Sequence, residues 1–473
     1  MRRAGFFPAI GVFLAIGLLG ALYLADLTGM GMVGPDEPRY AAIGRAMAQT
    51  GDWVTPRLWG NPWFEKPALL YWMTATGFSV GLGPDLAPRL PVALLSVAFL
   101  GFFWWRLRLE WDARVAWFAA TILATSAGWL AYSHVAVTDL PLAACFSAAL
   151  LLSLPWVARG ETEMLPAAAA CLGLAAFAKG LVPLVLFFPV LAFRWKSLRD
   201  WLRPAPLAAF AICALPWYVL CTIRNGTEFL NVFFVQQQFG RFSSAALQHV
   251  QPWWFYVPAS LLLLFPWFPL LGLAGRGWQD SRVRVLAFVA LFGFVFFSVS
   301  VNKLPSYVLP LLPAVTVLIG VGLAREQRAG WWLTAPVALT GALAGLPEVV
   351  AASLAHGLRS AHFDWFTLSA VLLAAALVGG FLAAGSTWFD VKASGNVAFA
   401  VAGAIVATGF MWFEVKTFPA IDAAASARTL WLGVHPKCDP GEARNLAYGL
   451  YYYSDSRLPD CNPVDRTGML GVR

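Results

Sequence analysis

The 473-residue sequence predicts an all-α, polytopic membrane protein of about thirteen transmembrane helices. Three observations predict it. The chain is 59% hydrophobic and only 12% charged, with a mean hydropathy of +0.67. Apolar runs near the length a bilayer span needs, about 20 residues, recur along most of it. The charges gather in short segments between those runs. In such a chain the net charge of +8 marks loops on one face of a membrane rather than affinity for nucleic acid.

The first run follows Met1-Arg2-Arg3 and is too long for the apolar region of a signal peptide, so it reads as a retained anchor over 6–25. Further runs lie at 87–106, 114–131, 139–157, 165–178, 180–193, 205–222, 253–273, 285–301, 305–323, 331–350, 364–384 and 397–414. With the N-terminus inside, the inner loops are RLRLEWDAR, RGETE, RWKSLRDWLR, GRGWQDSRVR, AREQRAG and STWFDVK, most of them net basic. This threading requires a break at Lys179-Gly180; one long helix there would send RWKSLRDWLR outside. The outer face then receives the 26–86 loop, a tail from Val415 and every isolated charge at a helix end. Residues 1–414 are the membrane part, and 415–473 form a small outer domain.

The 26–86 loop packs charge into two tight sites, Asp36-Glu37 and Glu65-Lys66. Asp36 is placed to cap a helix with Pro38 in its first turn. Tyr40, Ile43 and Met47 form one apolar stripe on it, which predicts a helix lying flat on the membrane surface. A second helix starts at Pro67. Capping, with Glu37 as a first-turn acid facing the helix dipole, leaves Arg39, Glu65 and Lys66 without a reason. It also leaves Asp139, Lys179, Arg241, His249, Lys303 and Tyr307, all at outer helix ends. Taken singly, Asp139 reads as an N-cap and Lys303 as a snorkelling lysine. Together they form a mixed site in which cations and a tyrosine hydroxyl hold a lipid phosphate and a carboxylate orients or deprotonates an attacking group.

The segments "DEPRYAAIGRAMAQTGDWVTPRLWGNPWFEKPALLYWMTA", "APRLPVALLSV", "VTDLP", "FAKG" and "NKLPSYVLPLLP" resemble, in order, the bacterial polyprenyl-phosphate-sugar-dependent glycosyltransferases of the GT-C type. The nearest branch is the lipid A aminoarabinose transferase family, a relative of the protein O-mannosyltransferases. The resemblance covers roughly residues 1–325 and implies a GT-C fold with amphipathic periplasmic helices. It also implies inverting transfer at the periplasmic face of a bacterial inner membrane, from a sugar on undecaprenyl phosphate. By the family's pattern Asp36 is the leading catalytic carboxylate and Asp139 a second one, with Glu37 beside Asp36. Lys66, Arg241 and Tyr307 match positions around the donor phosphate, to which charge and motif membership add Arg39, Tyr40, Lys179 and Lys303.

Where aminoarabinose transferases often carry an acidic residue and a histidine, this chain has Gln237 and Gln238. A divalent metal would therefore have only Glu65 and His249, whereas zinc takes three or four protein ligands. The tail, in an oxidising compartment on this threading, predicts a Cys438–Cys461 disulfide. The expected partners are the polyprenyl-phosphate-linked sugar, a lipid, glycan or protein acceptor and membrane lipids, acting on a monomer. For a lipid A phosphate acceptor Asp36 orients the sugar; for a hydroxyl it is the general base. A lipid or solute transporter is the reading from a different class. Transporters, however, keep ionisable groups near the midplane within paired repeats, and these charges lie at helix ends.

Overall fold

The computed structural model describes residues 17–240, 250–357, 365–385, 391–439, 441 and 444–461. Helix dominates it because a chain in lipid must satisfy its backbone hydrogen bonds within each segment. Among the described residues six helices are long and apolar enough to cross a membrane, or eight if each of two bent pairs counts as one span; four shorter apolar helices accompany them. The sequence reading asks for about thirteen. Hydropathy counts apolar length, whereas the chain breaks it: Ala113–Ala124 and Ala127–Ser133 meet at 61°, and Ala329–Gly345 and Pro347–His356 at 64°. At Gly180 (φ 78°) the Leu165–Lys179 helix ends before Val182–Phe193, the break that the charge pattern requires.

Small residues set the closest helix approaches, as they do where apolar surface alone gives no drive to associate in lipid. A Cβ at Gly173 would lie 2.7 Å from the Phe210 carbonyl oxygen, and one at Gly320 would lie 2.9 Å from the Ala119 Cβ. Elsewhere large apolar side chains point outward, among them Ile223 (77% exposed) and Phe366 (83%), as lipid-facing positions do.

The first loop is folded rather than extended. It holds a helix over Asp36–Thr50, a two-residue hairpin pairing Arg57–Leu58 with Asn61–Pro62, and a helix over Leu69–Ser79. The hairpin turns at Trp59 (φ 49°) and Gly60 (φ 85°), both left-handed, as a tight two-residue connection demands. The Asp36–Thr50 helix departs from its sequence-based reading in two ways. Its apolar stripe is covered by protein: Tyr40, Ile43 and Met47 are buried, with Tyr40 5.8 Å from Tyr71 and Gly44 against Thr74. Its start also has no side-chain cap, because Asp36 is the first helical residue and turns its carboxylate to Arg39.

The last long helix, Val391–Ala425, runs past residue 414 without a break. Beyond it, short helices over Arg428–Val434 and Arg444–Tyr453 flank the Cys438–Cys461 disulfide (S–S 1.98 Å). This segment packs onto the first loop. Gly31 N–H donates to Asp422 at 2.7 Å, Arg45 pairs with Asp455 at 2.9 Å, and Tyr453 Oη donates to Asp85 at 2.7 Å.

The contacts fall into two groups, at opposite ends of the helices. Arg106, Glu110, Arg159, Asp280 and Arg282, all from the predicted inner segments, form one ion-pair network. The first loop, Asp139, Lys179 and the C-terminal segment gather at the other.

Candidate active site

The two adjacent acids at the start of the Asp36–Thr50 helix have opposite surroundings. Glu37 is 0% exposed. Its Oε1 accepts from Arg89 Nε at 2.7 Å and from the Ala136 N–H at 3.0 Å; its Oε2 accepts from Arg89 Nη2 at 2.8 Å and from the Val33 N–H at 2.9 Å. Arg89 places its remaining donors on the carbonyls of Leu27 (3.0 Å), Met30 and Gly31 (2.8 Å). The five N–H donors of that guanidinium are thus all used. Glu37, expected in the catalytic set, is a buried carboxylate with four donors on it. It pins the 27–37 segment to the Leu86–Glu110 helix. Asp36, by contrast, keeps 39% of its side chain exposed and has Arg39 as its ion-pair partner.

Arg39, expected at the donor phosphate, has its donors engaged within the protein. Its Nε donates to the Pro35 carbonyl at 2.9 Å, Nη1 to Glu65 at 3.1 Å and Nη2 to Asp36, and the residue is 4% exposed. Burial opposes its charge, but Glu65 and Asp36 outweigh burial and hold the guanidinium firmly protonated. Glu65 is shared, because Lys66 Nζ donates to its other oxygen at 2.9 Å. Both Glu65 oxygens therefore face cations, an arrangement that does not suit a metal ligand. Among the described residues no group of three or more His, Cys, Asp or Glu side chains could hold a metal ion. Tyr40 is buried; burial first, then the nearby Asp36 and Glu65 charges, pushes its hydroxyl well above the usual tyrosine range, so it stays protonated.

A second half of the site comes from the membrane helices. Asp139 opens its helix without capping it and pairs with Lys179 Nζ at 2.5 Å. That ammonium lies 4.9 Å from the centre of the Tyr307 ring. Tyr132, half-buried, stands between the two halves, close enough to Asp139 and Asp36 for their charges to bear on its hydroxyl. Lys303 stands apart, donating to the carbonyls of Gln251 (3.0 Å) and Ser300. It edges a largely apolar groove of about 580 Å³ lined by Trp253, Trp254, Val257, Phe294 and Val299. Arg241 and His249 lie outside the described residues.

Sequence reasoning missed Arg89, Tyr132 and the aromatic residues of the C-terminal segment. Arg89 carried a usable signal. An arginine between two prolines at the head of an apolar run is as costly as Lys179, and the same argument applies to it. Tyr132 carried none.

The geometry is that of a half-open acid held by one buried arginine, with two further acid–lysine pairs, Glu65–Lys66 and Asp139–Lys179. A family profile described as dolichyl-phosphate-mannose-protein mannosyltransferase matches residues 9–226. An undecaprenyl phosphate-alpha-4-amino-4-deoxy-L-arabinose arabinosyl transferase of Pectobacterium atrosepticum is 30% identical over 422 residues, covering 79% of this chain and 73% of the relative. The chain belongs to that arabinosyl transferase family. A Pseudomonas aeruginosa member (strain UCBPP-PA14) is 33% identical over 339 residues, 66% of this chain; the match spans 59% of that relative's length. The crystal structure of ArnT from Cupriavidus metallidurans bound to undecaprenyl phosphate superposes with a TM-score of 0.77 at 26% identity, covering 98% of this chain and 88% of that one. The fold is thus that of the GT-C arabinosyl transferases, and the chain is a multi-pass inner-membrane protein.

Proposed function

We propose that the chain is an inverting glycosyltransferase that moves a sugar from undecaprenyl phosphate, or a similar polyprenyl phosphate, to lipid A. The observation that carries this reading is the contrast at the loop helix: Glu37 is fully consumed by the scaffold, while its neighbour Asp36 keeps an open edge among cations. Relatives named for undecaprenyl phosphate-linked aminoarabinose supply the donor class. In the reaction an acceptor oxygen attacks the anomeric carbon, and the bond from that carbon to the donor phosphate oxygen breaks. The leaving phosphate gains charge, which Lys66, Lys179 and the Tyr307 hydroxyl stabilise, with Arg241 and Lys303 as further cations. Asp36 orients the sugar for a phosphate acceptor and takes the proton from a hydroxyl acceptor. Asp139 sets Lys179 in place. The groove beside Lys303 receives the prenyl tail.

In this reading residues 1–414 are the catalytic membrane part and 415–473 a small cover, with the site and C-terminus periplasmic and the N-terminus cytoplasmic. The protein works as a monomer. The mannosyltransferase profile over residues 9–226 supports a second reading, a protein hydroxyl as acceptor. Purified protein in liposomes, given undecaprenyl phosphate-aminoarabinose with lipid A or with exported protein, separates them. A lipid A mass gain of one aminopentose supports the first. Glycosylated protein with unmodified lipid A supports the second, and an untouched donor in both arms defeats the transferase reading.

A further inference from the structure

The Arg444–Tyr453 helix comes from the far end of the chain, yet it supplies a ring to the centre of the site. The Arg39 guanidinium carbon lies 5.3 Å from the centre of the Tyr448 ring, 5.6 Å from Trp63 and 5.9 Å from Tyr40. It is the same guanidinium that holds Asp36 and Glu65. Aromatic faces attract such a cation electrostatically, more strongly once water is excluded, and Arg39 is 4% exposed.

Tyr448 is itself held from several sides. Arg444 Nε donates to its hydroxyl at 3.0 Å, and the Arg444 guanidinium lies 5.2 Å from its ring. Trp59 packs on it at 5.6 Å and meets Tyr451 edge-on at 5.2 Å. Trp59 reaches these rings from a left-handed backbone (φ 49°) that bulky side chains rarely adopt. The indole N–H groups of Trp59 and Trp63 are both buried without a hydrogen-bond partner. Strain and orphaned donors of this kind persist only where surrounding contacts over-determine the position. Here those contacts converge on the ring above Arg39.

We infer that Tyr448 is a positioning residue of the active centre. With Trp63 it grips the Arg39 guanidinium, and through it fixes the open Asp36 carboxylate and Glu65. The C-terminal segment is on this account a working part of the site and not merely a cover. The inference rests on the transferase reading above.

The test uses the full chain in liposomes with undecaprenyl phosphate-aminoarabinose and lipid A. Tyr448→Ala is expected to lower kcat about 10-fold, with KM for both substrates changed less than about twofold, since the ring acts through Arg39. Tyr448→Phe, which keeps the aromatic face, restores most of the rate. In an Arg39→Lys background Tyr448→Ala adds little further loss, because the two act through one contact. Wild-type kcat in Tyr448→Ala overturns the inference, as does a full additional loss in the Arg39→Lys background. If Tyr448→Ala does not fold, Trp63→Leu tests the other ring of the same grip with the same readouts. A wild-type chain that transfers nothing defeats the transferase reading and this inference with it. An active wild type matched by Tyr448→Ala defeats this inference alone.

Discussion

Two ends of one helix carry charge for different ends. The Leu86–Glu110 helix spans about 30 Å from Arg89 to Glu110 at 1.5 Å per residue. At the Glu110 end one carboxylate, 2% exposed at its side chain, takes Arg106 at 2.6 Å, Arg159 at 3.2 Å and Arg282 at 3.6 Å. Arg282 also lies 4.5 Å from the Trp111 ring, and Trp111 Nε1 donates to Asp280 at 3.1 Å. That network ties three helices together, with its acid buried among its partners. At the Arg89 end the Glu37 pair repeats the pattern, but one residue away Asp36 breaks it by staying open. Buried, fully paired charge is therefore the scaffold at both ends. The proposed chemistry rests on the carboxylate that the scaffold leaves accessible.

The largest expected effect tests that division directly. Asp36→Asn should lower transfer by about 10³-fold while the melting temperature of the purified protein stays near wild type; an active variant would move the chemistry elsewhere. Glu37→Gln and Glu110→Gln should behave like each other and unlike Asp36→Asn. Each leaves a buried guanidinium without its counter-charge, destabilising the fold by about 3–5 kcal/mol. Denaturation in detergent would read this loss, and a Glu37→Gln protein that melts normally yet transfers nothing would return Glu37 to the catalytic set. Lys66→Ala should weaken donor binding about 10-fold, measured as competition by undecaprenyl phosphate. Smallest is Asp112→Ala at the Glu110 end. Asp112 accepts the N–H groups of Arg114 and Val115 as the cap of its helix, so its loss should cost about 1 kcal/mol of stability and leave kcat unchanged.

Much of the site was legible in the sequence because charge in an apolar chain is costly and therefore conspicuous. Asp36, Lys66, Asp139 and Lys179 stood out on that ground, and the charge pattern required the break after Lys179. Pairing was not legible. Glu37 finds Arg89 across 52 positions and Lys179 finds Asp139 across 40. Nothing local separates Asp36 from Glu37 either, since successive helix residues point about 100° apart and only the tertiary fold decides which faces inward. The count of spans was blurred for a similar reason. Hydropathy sums apolar length, but bends at Thr125-Ser126 and at Leu346 are backbone events within it.

The clasp between the first loop and the C-terminal segment also sets an order of assembly in time. Gly31 meets Asp422 across 391 positions, which a ribosome adding about 5–20 residues per second needs roughly 20–80 s to synthesise. Through that interval the loop has left the ribosome but lacks Asp422, Tyr453 and Arg428, which donates to the Thr28 carbonyl at 2.6 Å and pairs with Asp85 at 3.1 Å. Arg89 is made far sooner, and its grip on Glu37, Leu27, Met30 and Gly31 can hold the loop in register while the remaining helices insert. If Tyr448 positions Arg39 as inferred, the centre is complete only when the Arg444–Tyr453 helix arrives, and a nascent chain carries its acids in place well before it is competent.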